Sequence, residues 1–286
     1  MTKMIMNKLS FGSVVLFAML IASGCAAPTR VVAPTAAAQV GEFRHGFLNG
    51  YLPPKELPDS LALLPAPPAA GSAAQADDDA AFRELSKLQG TPRGAIAVQD
   101  ANLSFPHAAE VFSCALGVPI SEKETPNLNM LLRRTLTDAG LATYNAKDKY
   151  QRTRPFVVFN VASCTPAEDG FLRTDGSYPS GHTSIGWIWA LTLTEIAPDR
   201  ADAILQRGRA FGQSRGICGA HWKSDIESGR IIGAATFARL QTNPVFSAQV
   251  EAARAEVTNE RSRGAASSGD CAAEAAALAT SNSLAP

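Results

Sequence analysis

An all-α chain folded as a single helical bundle is what this sequence predicts, on three observations. Apolar residues recur every three to four positions through most of the stretch from Asp78 to Leu240, the period of helices with a buried face. Alternating, strand-like patterns are nearly absent, and Phe156-Val157-Val158-Phe159 is the one short candidate. The composition, 46% hydrophobic and 18% charged, is globular and excludes a wholly disordered, collagen-like or coiled-coil chain. A helical stretch of about 180 residues is enough for one hydrophobic core.

The first segment is an address. Lys3 and Lys8 precede an apolar run from Phe11 to Ile21, too short to span a bilayer but suited to a signal peptide, expected over residues 1–24. The run ends in Ile21-Ala22-Ser23-Gly24-Cys25, which resembles a lipoprotein processing site with Cys25 as the lipidated mature N-terminus. Ala22 stands where such sites usually carry Leu, so ordinary cleavage near Gly24 to Ala27, giving a freely soluble protein, is the alternative. Ala26, where inner-membrane lipoproteins usually carry Asp, points the anchor to an outer membrane. Residues 25–77 are an Ala/Pro-rich tether and N-terminal arm, expected to dock through Phe43, Phe47, Tyr51 and Leu52.

The helical domain is expected over 78–263. Its periodicity predicts helices over Asp78–Gln89, Pro92–Ala101, His107–Leu116, Leu128–Tyr144, Thr183–Ile196, Arg200–Gln213 and Trp222–Leu240, with Asp199 as an N-cap. The tail, 264–286, is Ala/Ser-rich and expected to be mobile beyond whatever Cys271 holds.

Charge and cysteine usage narrow the function. Basic and acidic side chains both number 26, so no bulk field suggests nucleic acid as a partner. The five cysteines form no Cys-x-x-Cys pair, which argues against zinc ribbons and thioredoxin-like chemistry. Export permits disulfides. The four cysteines after Cys25 allow three pairings, and Cys114 with Cys164 and Cys218 with Cys271 is the expectation.

Three segments carry chemistry: Lys147-x6-Arg154-Pro155, Gly176-Ser177-Tyr178-Pro179-Ser180-Gly181-His182-Thr183, and Ser214-Arg215-x5-His221-x3-Asp225. Each has a plain reading as surface charges, a turn, or an incidental polar pair on a helix. Together they form a toolkit. Ser180, Gly181 and His182 open a helix whose free N–H groups can bind an anion. Arg154 and Arg215 can grip phosphate oxygens with paired donors, and Lys147 adds a point charge. Asp225 can accept a hydrogen bond from one ring nitrogen of His221 and leave the other nucleophilic. His182 can protonate a departing oxygen. No cluster has metal-ligand spacing.

With the second taken as its core, Pro179 to His182, the three motifs have 23 and 31 residues between them and resemble those of the type 2 phosphatidic acid phosphatase superfamily. The Gly-Ser-Tyr-Pro-Ser-Gly-His-Thr run resembles its class A bacterial non-specific acid phosphatases in particular. The resemblance covers roughly Asp78 to Leu240. It implies the all-α bundle that these phosphatases share with the vanadium haloperoxidases, with no metal and no cofactor, small phosphomonoesters as substrates, and a homo-oligomer. By the same resemblance Lys147, Arg154, Ser180, Gly181 and Arg215 hold the phosphate. His221 is the nucleophile that becomes phosphohistidine, Asp225 orients it, and His182 is the leaving-group acid. The product would be a periplasmic or envelope-anchored acid phosphatase touching membrane only through its N-terminal lipid. Alternatives are a vanadium-dependent haloperoxidase with His221 as apical ligand, a lipid phosphatase, and a non-catalytic phosphate-binding lipoprotein. The last needs the cations but not His221, Asp225 and His182 together.

Overall fold

Helices dominate, and most begin where the sequence offers a cap. The structure, a computed structural model, describes Met1, residues 31–267 and residues 269–281. The expected signal segment, Met1 aside, and Cys25 lie outside the described residues. A helical turn over Ala37–Val40 leads into an antiparallel ribbon of β1 (Glu42–Arg44) and β2 (Phe47–Leu48). α1 (Ala73–Ser86) starts behind Ser72, whose hydroxyl accepts the Gln75 N–H at 3.1 Å. α2 (Pro92–Ala101) starts behind Thr91, with proline at the first helical position. α3 (Pro126–Leu141) and α4 (Tyr144–Tyr150) follow. After a long irregular stretch come α5 (Gly181–Ile196), α6 (Ala201–Ile217), α7 (Lys223–Leu240), α8 (Pro244–Ser262) and α9 (Cys271–Ala279).

α5 is the axis of the bundle. It packs on α3, α6 and α7 and buries Ile185, Ile188, Trp189, Leu193 and Ile196. Trp189 meets Phe105, Phe112 and Phe211 edge-on and donates its indole N–H to the Leu132 carbonyl at 3.0 Å, so its polar atom is satisfied in the core. Two glycines let the neighbours close on the first turn of α5. A Cβ at Gly212 of α6 would lie 2.7 Å from the Thr183 side chain, and one at Gly229 of α7 would lie 2.5 Å from the Ser180 carbonyl oxygen. The Ser180–Thr183 turn is thereby wedged between α6 and α7.

The N-terminal arm is fixed to α3. Asp138 accepts the Tyr51 and Leu52 N–H groups at 2.9 and 3.1 Å, Thr137 donates to the Leu48 carbonyl, and Arg134 donates to that of Gly50. Leu48, Tyr51 and Leu52 are buried.

Several expectations need correction. The disulfides are Cys114–Cys271 and Cys164–Cys218, because Cys271 opens α9 near the Ser113–Leu116 turn while Cys164 meets the end of α6. Phe156–Phe159 is no strand: Pro155 starts a helical turn over Pro155–Val158. His107–Leu116 is two short turns, His107–Glu110 and Ser113–Leu116. Asp199 lies in a 3-10 turn begun by Pro198, where its carboxylate pairs with Arg261 at 3.0 Å instead of capping α6. The tail is held as far as Ser281, which is buried between the Arg93 guanidinium and the Gln213 side-chain amide.

Candidate active site

The second motif becomes the entry to α5. Ser180 is its N-cap: its Oγ accepts the Thr183 N–H at 3.3 Å and the Thr183 hydroxyl at 2.9 Å. Its own N–H donates to the Asp225 carbonyl at 3.0 Å, which ties the second motif to the third. The oxygen of the hydroxyl accepts from the helix and its O–H remains a donor, while Gly181 and His182 line a cavity of about 370 Å³.

The third motif is the turn from α6 to α7. Arg215, in the last turn of α6, is fully buried, and its carbonyl accepts the Ala220 and His221 N–H groups. Gly219 takes the positive φ of 68° that the reversal requires. The Cys164–Cys218 bridge and the Cys164 N–H to Cys218 carbonyl bond hold the turn from outside. None of the three guanidinium nitrogens of Arg215 has a hydrogen-bond partner among the described residues. A buried, unpaired guanidinium beside a cavity is a costly feature that an anionic ligand would satisfy.

The first motif brings its cations inward. Lys147 sits in α4 and Arg154 just before Pro155, both buried. Arg154 Nε donates to the Leu172 and Asp175 carbonyls at 2.9 and 3.0 Å, and Nη1 to the Ala220 carbonyl at 2.9 Å. Nη1 also lies 3.0 Å from His221 Nε2. Since guanidinium can only donate, Nε2 is the accepting nitrogen and the ring proton belongs on Nδ1. Asp225 Oδ2 faces that Nδ1 at 3.5 Å, longer than the orienting hydrogen bond expected from sequence. The carboxylate itself is held by the Trp222 N–H at 2.9 Å and Arg152 Nη1 at 2.7 Å.

Lys147, Arg154, Gly181, His182, Arg215 and His221 therefore line one cavity. Ser180 and Asp225 stand behind it as cap and support. His182 Nε2 lies 2.9 Å from the Ala101 carbonyl and so carries a proton, leaving Nδ1 unprotonated in the neutral ring. Burial pushes both imidazoles well below their ordinary range; the next contributors are Arg215 for His182 and Arg154 with Lys147 for His221. Burial, then Arg154, lowers Lys147 to about 8 and Arg215 to about 10.

Sequence reasoning missed two groups here. Arg152, two residues before Arg154, bridges Asp225 to Asp78 and Gln75 at 2.7 Å each. Asp175, just before the second motif, pairs with Arg154 at 2.6 Å and Lys147 at 3.3 Å. The mouth of the cavity was missed as a site as well: Phe43, Arg44 and Phe47 of the ribbon, Tyr144, and Phe171 line it. Glu122, Glu124 and Trp222 do not line it; Trp222 is buried and donates to the Thr153 carbonyl at 2.8 Å. His45 is exposed, and His107 touches the Gln99 carbonyl.

A helical bundle that gathers a lysine, two arginines and two histidines at the N-terminus of its central helix defines a class of phosphate-handling protein. The sequence model of the PAP2 superfamily matches residues 129–245, and the chain belongs to that superfamily. Its relatives include a non-specific acid phosphatase of Providencia stuartii, 46% identical over 207 residues that cover 72% of this chain and 84% of that protein. The non-specific acid phosphatase of Salmonella typhimurium is 44% identical over 208 residues, 72% of this chain and 83% of the relative. The acid phosphatase of Zymomonas mobilis is 41% identical over 203 residues, 71% and 77% of the two chains.

Proposed function

We propose that this protein is an acid phosphatase that hydrolyses small phosphomonoesters through a phosphohistidine on His221, without a metal. The observation that carries the proposal is the single cavity onto which the unpaired Arg215, Arg154, Lys147, His182 and His221 converge. The two arginines, Lys147 and the N–H groups at the start of α5 hold the phosphoryl oxygens. His221 Nε2 attacks phosphorus as the P–O bond to the leaving group breaks, and His182 delivers a proton to that oxygen. Asp225, steadied by Arg152, stabilises the Nδ1 proton as the ring becomes cationic. Water, deprotonated by His182, then opens the phosphohistidine and releases inorganic phosphate. Three cations supply the charge neutralisation that a metal supplies elsewhere.

Export is supported by the two disulfides, which need an oxidising compartment. No helix among the described residues is long and apolar enough to cross a membrane. We place the protein in the periplasm, anchored to the outer membrane through a lipidated Cys25. Cys25→Ala should release it from the envelope with activity intact, and an unmodified mature N-terminus beyond Cys25 would replace anchoring by simple secretion. The resemblance is the support for a homo-oligomer, which sedimentation checks.

The deciding experiment is a profile over phosphomonoesters, diesters and lipid phosphates with EDTA present. Phosphomonoesters should turn over in chelator, and vanadate should inhibit as a mimic of the transferring phosphoryl group. Activity lost to EDTA and restored by a divalent ion defeats the proposal. Halide oxidation on adding vanadate, with no ester turnover, selects the haloperoxidase.

A further inference from the structure

Among the described residues Asp175 is the one carboxylate lining the cavity, and its place is unusual for a site meant to bind an anion. Its Oδ2 lies 2.6 Å from Arg154 Nη2 and 3.3 Å from Lys147 Nζ. These are two of the three cations assigned to the phosphate, and the carboxylate meets them on the donor atoms that a phosphoryl oxygen would use. The guanidinium of the third cation, Arg215, has no hydrogen-bond partner among the described residues.

Two accounts of Asp175 are available: it holds the cations in place, or it competes for them. The other bonds to these cations favour competition. Arg154 is already anchored by the Leu172, Asp175 and Ala220 carbonyls. Lys147 donates to the Gly176 carbonyl. All of these acceptors are main-chain atoms, so both cations keep their positions when the carboxylate leaves. Asp175 is also free to leave. It follows the short helical turn Asp169–Leu172, it is half-buried, and its side chain borders the cavity.

We propose that Asp175 is a built-in competitor for the phosphate subsite. In the free protein its carboxylate occupies Lys147 and Arg154, and an incoming phosphoryl group displaces it toward the cavity. Every phosphate-bearing ligand then binds more weakly than the cations alone would allow, product included. Three buried cations without a counter-charge would retain dianionic phosphate; the competing carboxylate favours its release. This rests on the phosphate-binding reading proposed above.

The test is calorimetric binding of inorganic phosphate and of vanadate to wild type, Asp175→Asn and Asp175→Ala, with melting temperatures measured alongside. Both variants should bind both anions about tenfold or more tightly, because a unit charge a few ångströms from a phosphate outweighs a decade in affinity even with substantial screening. Unchanged or weaker binding in a folded variant overturns the competition and makes Asp175 a positioning residue. A wild type that binds no phosphate removes the underlying reading as well. A crystal structure of wild type with vanadate decides the matter without any variant. The Asp175 carboxylate should have left Arg154, and a carboxylate still bonded to Nη2 beside bound vanadate overturns the proposal.

Discussion

The floor and the mouth of the cavity are built in opposite ways. On the floor, the charges are buried at helix ends: Arg154 and Arg215 are 2% and 0% exposed, Arg154 is fixed by three carbonyl oxygens, and the Arg215 guanidinium has no hydrogen-bond partner among the described residues. At the mouth, aromatic side chains stand on a two-stranded ribbon, a short helix and a loop, with Phe43 47%, Tyr144 39% and Phe171 62% exposed. A transferring phosphoryl group is the same in every substrate, so a rigid floor costs nothing in substrate range. Leaving groups differ, and a mouth of exposed rings can accept many shapes. The contrast assigns chemistry to the floor and preference to the mouth.

The largest effect should come from the floor. His221→Ala removes the nucleophile, so turnover of aryl and alkyl phosphates should fall together by at least ~10⁴-fold. No acid-labile phosphohistidine should be trapped. Residual phosphoenzyme on another residue would move the chemistry elsewhere and dissolve the contrast.

His182→Ala sharpens it. An alkyl phosphate needs its leaving oxygen protonated, while an aryl phosphate with a good leaving group needs little help. General acid assistance is worth ~10²–10⁴-fold. That loss should appear in kcat/KM, which reads phosphoryl transfer to His221, for alkyl esters and nearly vanish there for activated aryl esters, while kcat falls on both because His182 also serves the shared hydrolysis of the phosphohistidine. Equal losses of kcat/KM on both would mean that His182 is not the acid.

Arg152→Ala tests the support behind the floor. Arg152 fixes Asp225 from the side away from His221 and touches nothing in the cavity. A misplaced nucleophile can cost roughly 10²-fold, and kcat should fall by that order on every ester with KM little changed. Arg152→Lys, unable to serve Asp78 and Asp225 together, should recover only part. A matching fall in melting temperature with kcat intact would make Arg152 structural only.

The floor was legible in the sequence because its residues are packed into three short motifs whose order and spacing are informative. Helix existence was legible wherever apolar residues recur at helical spacing. α8 carries that signal too, with Phe246, Val250, Ala253 and Val257 buried on one face and the Asn243 side chain accepting the Val245 and Phe246 N–H groups at its start. Arg152 and Asp175 were hidden for a different reason. Each stands beside a motif as an ordinary charged residue, and only the fold shows that one reaches Asp225 and the other Arg154. The mouth comes from the ribbon, α4 and the Phe171 turn, more than 120 residues apart from end to end, so no local pattern announces it. Disulfide pairing was equally non-local: Cys114 and Cys271 are separated by 157 residues.

The pH dependence should divide along the same line. In the proposed mechanism protonated His182 is the acid, and burial, then Arg215, holds its pKa well below the ordinary imidazole range. The acid form is therefore lost as pH rises, and kcat/KM for alkyl esters should decline by roughly tenfold per pH unit on its basic limb. Aryl esters escape that limb. Their decline should begin when Lys147, at about 8, loses the charge that binds phosphate. The ratio of aryl to alkyl activity should thus climb between acid and neutral pH. Superimposable profiles, or an alkaline optimum on alkyl esters, would contradict the role of His182.

The smallest effect belongs to the mouth. Phe47 lines the cavity, and the Arg44 guanidinium lies over its ring at 4.1 Å. The ring also packs, partly buried, against the core, but the ribbon has further anchors, since Thr137 and Arg134 hold the Leu48 and Gly50 carbonyls and Asp138 holds the next two N–H groups. Phe47→Ala should therefore leave the floor intact and remove only a surface for the leaving group. An aromatic pair is worth about 0.5–1.5 kcal/mol beyond its area, so KM for an aryl phosphate should rise about 2- to 12-fold with kcat nearly unchanged. A methyl phosphate, which has nothing to stack, should show no change beyond about twofold. Loss of kcat on both esters would show that the ribbon also positions the phosphoryl group, and the division between floor and mouth would have to be redrawn with the N-terminal arm on the side of the chemistry.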